Sequence, residues 1–127
     1  MTASERAIEL TRAAARAADD TLGTDLLGID VTSVTPIADA FLLVTGRNER
    51  QVVAIAREIE DALLEIGAKP ISREGRDEGR WALLDFNDIV VHVFHEEERS
   101  YYGLERLWND CPVIDLDLAS DDGAEAS

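Results

Sequence analysis

A single cysteine, Cys111, excludes any intramolecular disulfide and suits a reducing compartment. Long apolar runs are missing, so no segment approaches membrane-spanning length. The opening Met-Thr-Ala-Ser-Glu-Arg lacks the apolar core of a secretory signal, and a cytoplasmic protein is expected. Positive charge is scarce: 12 basic residues stand against 27 acidic ones, a net charge of −15. Five of the acids lie between Asp115 and Ser127, leaving −10 on residues 1–114. That balance opposes direct binding to RNA, whose affinity for proteins comes largely from Lys and Arg neutralising phosphates. A basic protein partner suits it better. Lys69 is the only lysine beside eleven arginines, a bias with no mechanism attached. Internal repeats are absent.

What is present reads as one α+β domain over residues 1–114, followed by an acidic, disordered tail over 115–127. Thr2-x-x-Glu5 has the form of a capping box opening a helix to about Asp20, which Gly23 ends. Leu26 to Ser33 alternates as a first strand, and Ala40 to Thr45 forms a buried second one. Asn48 and Gln51 then open an amphipathic helix whose apolar face runs Val52, Ile55, Ala56, Ile59, Ala62, Leu63 and Ile66. Gly67 and Pro70 stop it. Ile71-Ser-Arg is a short strand. Arg80–Phe86 and Ile89–Phe94 make a hairpin at Asn87-Asp88, and a last helix spans roughly Glu97 to Trp108. The order is α-β-β-α-β-β-β-α, a mixed sheet with helices packed on it.

Five groups of residues could carry chemistry. His92 and His95 stand three apart; on one strand they point to opposite faces and cannot share a metal. His92 falls on the face of Val90 and Phe94, as a partly buried, hydrogen-bonded histidine. The glutamates after His95 suit a helix start, at the positive end of its dipole. Cys111 has no nearby cation to lower its thiol pKa and reads as a small apolar residue. Asp85 and Asp88 bracket a turn, where such residues are expected for backbone reasons. Asp115-x-Asp117 has the spacing of a nucleotidyl-transfer metal pair but no glycine-rich phosphate loop before it. Thr45-Gly46-Arg47 joins a strand to a helix, where an anion could sit, with a single glycine to support that use. No catalytic residue, metal or cofactor is expected.

Aromatic residues are few, yet both tryptophans and both tyrosines lie between Trp81 and Trp108. Tyr101, Leu104 and Trp108 share one side of the last helix, with Leu107 beside them. Trp81 opens its strand on the same pleat face as Leu83 and Asp85. Such residues fill cores or anchor interfaces, and pattern alone leaves both open.

In order along the chain stand Asp39-Ala-Phe-Leu-Leu-Val-Thr-Gly46, Arg50-Gln-Val, Ala54-Ile-Ala, Glu74-Gly75, Trp81-Ala-Leu-Leu-Asp85, Asp88-Ile-Val-Val-His-Val-Phe94 and Arg99-Ser-Tyr-Tyr-x-Leu-Glu-x-Leu-Trp108. This ordered set, over about residues 5–109, resembles the ribosomal silencing factor family, also called Iojap-like. The resemblance implies a nucleotidyltransferase-like α/β sandwich without the catalytic carboxylates. It also implies a homodimer that binds the large ribosomal subunit through ribosomal protein fourteen and obstructs joining of the small subunit when nutrients are scarce. Large-subunit assembly is the alternative role, and a nucleotidyl-transfer enzyme a more distant one. Little direct nucleic-acid contact and no membrane are expected. The family's contact surface, carried over, makes Trp81, Arg99, Tyr101, Tyr102, Leu104 and Trp108 the candidate partner-binding residues. Two departures stand out. Arg47 or Asn48 stands where many members carry a small residue such as Ser after Thr-Gly, and residues 115–127 have no counterpart in these motifs.

Overall fold

The computed structural model describes residues 2–102 and 110–118; residues 1, 103–109 and 119–127, and the side chains of residues 100–102, lie outside that part. Among the described residues the elements run α1 (Glu5–Asp20), β1 (Thr24–Asp30), β2 (Ala40–Gly46), α2 (Glu49–Glu65), β3 (Ser72–Glu74), β4 (Trp81–Asp85), β5 (Ile89–His95), α3 (Glu96–Tyr102) and β6 (Val113–Ile114). The expected order holds, with β6 added after the last helix. Two residues pairing with Ile29 and Gly28 of β1 are too short to show a period. The described strands form one sheet in the order β3-β4-β5-β2-β1-β6. β2 and β5 pair in parallel, and every other pair is antiparallel.

Helices α1 and α2 cover one face of this sheet. α1 meets it with small side chains: Ala7, Leu10, Ala14, Ala15, Ala17 and Ala18 are all buried, which lets the helix approach closely. Its N-cap is Ser4, whose Oγ accepts from the Ala7 N–H at 3.0 Å. The Thr2-x-x-Glu5 box is therefore displaced, because Glu5 is already the first helical residue. Asp30 and Asp39 hold the incoming chain by accepting the N–H groups of Ala3 (2.7 Å) and Ser4 (2.9 Å). At the other end Leu22 takes the left-handed conformation (φ 65°), one residue before the expected Gly23. Gly23 is needed for space instead, since a Cβ there would lie 2.8 Å from Val44 Cγ1.

On α2 the apolar stripe is buried as expected, with Ile55, Ile59 and Leu63 fully enclosed. Burying each such side chain contributes about 1.5–3 kcal/mol. Asn48 Oδ1 caps Gln51 N at 2.9 Å, but Gln51 reaches back to the N–H of Arg47 (2.7 Å) rather than that of Asn48. β1 ends at Asp30, three residues short of the expected limit. Its carboxylate accepts both the N–H and the hydroxyl of Thr32, at 3.0 and 2.6 Å, and turns the chain out of the sheet.

The opposite face of the sheet is more varied. Ile29, Val31 and Cys111 form one small cluster there, with Leu27 and Phe41 against it; Leu43 and Phe94 form another, with Leu27 and Trp81. α3 lies on this face over the ends of β2 and β5.

Candidate functional site

Pairing fixes which side chains meet. Trp81 stands opposite Phe94 across β4 and β5, and Leu83 stands opposite both His92 and Glu74. Trp81, Leu83 and Asp85 thus share the face away from α1 and α2. They remain only partly covered, whereas Ala82 and Leu84 on the helix side are fully buried. The indole ring packs on Phe94 at 5.0 Å between centroids and donates its Nε1–H to His92 Nδ1 at 3.2 Å. Phe41 meets the His92 ring edge-on at 5.2 Å, and Phe94 stacks on it at 5.8 Å. Burial among these rings lowers the pKa of His92 to about 4, so the imidazole is neutral near neutral pH and its Nδ1 accepts the indole proton.

Beside the indole opens a groove of about 360 Å3 lined by Glu74, Gly75, Trp81 and Leu83. Gly75 is obligatory there. Its φ is +69°, and an added Cβ would lie 2.2 Å from the carbonyl oxygen of Trp81.

Two ionic clusters brace the segment leading to Trp81. Glu60, on the buried side of α2, takes Arg73 Nε at 2.7 Å on one oxygen and Arg76 Nη1 at 2.9 Å on the other. The Glu60 hydrogen bond, outweighing desolvation, raises the pKa of Arg76 above its ordinary value. Arg80 joins Glu98 (2.7 Å) and Glu97 (3.0 Å) at the start of α3, and its backbone carbonyl accepts the His95 N–H at 2.8 Å. His95 Nδ1 accepts from the Glu97 N–H at 3.1 Å, with Nε2 3.5 Å from Glu49. The two histidines thus serve opposite faces: His92 the indole, His95 the starts of α2 and α3.

Of the six candidate contact residues, Trp81 and Arg99 are described in full. Arg99 is only 8 % exposed. Its Nη1 donates to Thr45 Oγ1 at 3.0 Å and its guanidinium lies over the Phe94 ring at 5.9 Å, so it fastens α3 to the sheet instead of presenting charge to solvent. Tyr101 and Tyr102 lie in α3 with their side chains outside the described part, as do Leu104 and Trp108 entirely. Glu60, Arg73, Arg76 and Arg80 brace the segment before Trp81 from the helix side of the sheet, and none of them was singled out by sequence reasoning. Glu60 left a signal, an acid on the apolar stripe of α2 four residues after Ala56.

The other candidate sites are occupied by local structure. The Arg47 and Gln51 N–H groups are taken by side chains of the same helix start, so the turn after Gly46 offers few donors to an anion. Asp85 Oδ1 accepts Asn87 N and Asp115 Oδ1 accepts Asp117 N, both closing turns. Cys111 is buried beside Ile29 and Val31. Among the described residues no three His, Cys, Asp or Glu converge as metal ligands, and no helix is long and apolar enough to cross a membrane.

A family model described as "Ribosomal silencing factor during starvation" matches residues 4–127. A ribosomal silencing factor of Bacillus subtilis is 49 % identical over 109 residues, 86 % of this chain and 92 % of that one. The chain belongs to the ribosomal silencing factor family. A solved protein of Chromobacterium violaceum, 35 % identical, superposes with a TM-score of 0.77 over 80 % of this chain and 84 % of its own. One of Bacillus halodurans, 38 % identical, gives 0.74 over 84 % and 97 %. The family match runs on through residues 115–127, beyond the motifs that carry the sequence resemblance. Ribosomal silencing factors are named as regulators of the ribosome, consistent with repression of translation.

Proposed function

We propose that this protein binds the large ribosomal subunit through ribosomal protein fourteen and sterically blocks joining of the small subunit, lowering translation under nutrient limitation or in stationary phase. It works in the cytoplasm, as a homodimer, without catalysis. The observation that carries this reading is the half-covered Trp81 face with Glu74 beside its groove, in a chain of this family and of net charge −15. An aromatic anchor on a strongly acidic chain suits a basic ribosomal protein better than RNA phosphates. Tyr101, Tyr102, Leu104 and Trp108 extend the contact surface, and Arg99 supports it by holding α3.

The test is sedimentation of tagged protein with separated ribosomal subunits, followed by a subunit-joining assay. Trp81→Ala and Tyr102→Ala should each weaken large-subunit binding by about tenfold or more while the circular dichroism spectrum stays native. If both variants sediment with large subunits at native affinity, the surface is wrong. Binding confined to assembly precursors would favour the assembly role instead.

A further inference from the structure

We infer that His92 is a positioning residue for Trp81: it holds the indole in its partner-ready orientation by accepting the Nε1–H. This rests on the reading of Trp81 as a contact residue and adds the element that presents it. The geometry is specific. Trp81 sits at the first position of β4, where the chain has just left the loop that carries Gly75 and Gly79. The ring packs on Phe94 at 5.0 Å, a contact that does not by itself select which edge of the indole faces inward. The hydrogen bond to His92 Nδ1, 3.2 Å long, makes that selection, because only one edge of an indole carries a donor.

His92 is itself fixed. It belongs to the strand paired on both sides, opposite Leu43 of β2 and Leu83 of β4, and it is enclosed by Phe41 and Phe94. Ring packing on Phe41 and Phe94 alone calls for no acceptor at this position. An acceptor on a rigid central strand instead pre-orders the indole at the margin of the sheet, so less freedom is lost when a partner docks.

The experiment compares His92→Phe, which keeps a ring and removes the acceptor, with His92→Asn, whose Oδ1 can take the place of Nδ1. Two readouts apply to the full chain. The Trp81 indole N–H resonance is assigned by its loss in Trp81→Phe, and affinity for large subunits is measured by sedimentation. His92→Phe should shift the indole proton, accelerate its exchange with solvent and weaken binding about three- to tenfold. His92→Asn should restore both. An unchanged indole resonance in His92→Phe overturns the inference, as does an equal loss of affinity in the Phe and Asn variants, which a merely structural role would give. If the indole responds as stated but Trp81→Ala binds subunits at native affinity, the contact reading is overturned and the hold of His92 on the indole stands.

Discussion

Trp81 shows how one side chain depends on neighbours that do not resemble a site. Gly75 lets the loop pass against its carbonyl, and His92 fixes its ring. Gly75→Ala would place a Cβ at 2.2 Å from that oxygen and force a residue at φ +69°. A loss of about 2 kcal/mol or more is expected, read from the urea midpoint. His92 also makes stability depend on pH. Burial depresses its folded pKa to about 4, from 6.5. As pH falls through that window the unfolded chain takes up a proton that the folded one refuses, so stability declines, by up to about 3 kcal/mol. His92→Asn should flatten the curve between pH 6.5 and 4 in urea unfolding at stepped pH. Asp30 acts lower: desolvation works against its ionisation, but hydrogen bonds from Thr32 and Ala3 outweigh it and lower its pKa below 3.8. Its contribution is present above that value and lost on further acidification.

At the scale of elements, ionic clusters do what covalent links do in disulfide-rich proteins. Glu60 on α2 grips Arg73 of β3 and Arg76 of the following loop, and Arg80 at the end of that loop grips the start of α3. The edge strand β3 has three exposed residues, too few to hold its place by burial. Glu60→Gln should therefore loosen residues 73–80 more than it destabilises the whole. Amide exchange there should quicken, while global stability falls by about 1–2 kcal/mol, a modest figure because the Arg73 side chain is 49 % exposed.

For the whole molecule, a charge of −15 sets the sign of its salt dependence. Docking on a basic protein should slow as ionic strength rises, by about tenfold in association rate from 50 to 500 mM salt, measured by stopped flow.

Much of the fold was legible because its signals are local. The apolar stripe of α2, the Asn87-Asp88 hairpin and the buried run of β2 are periodic or turn features that a few neighbouring residues specify. The cap of α1 and the two-residue β6 depended on partners distant in sequence, Ala3 with Asp30, Ser4 with Asp39 and Ile29 with Val113, whereas β1 ends on a local pair, Asp30 with Thr32, that alternation alone does not show. By itself the sequence determined the helices, most of the strands, the acidic balance and, through its ordered motifs, the family. Only the tertiary structure decided that His92 serves Trp81, that Arg99 faces inward, and that Glu60 ties α2 to β3 and the loop before Trp81. The physical reason is that strand order and register, set by long-range pairing, choose which side chains come within hydrogen-bonding distance, and no local pattern carries that information.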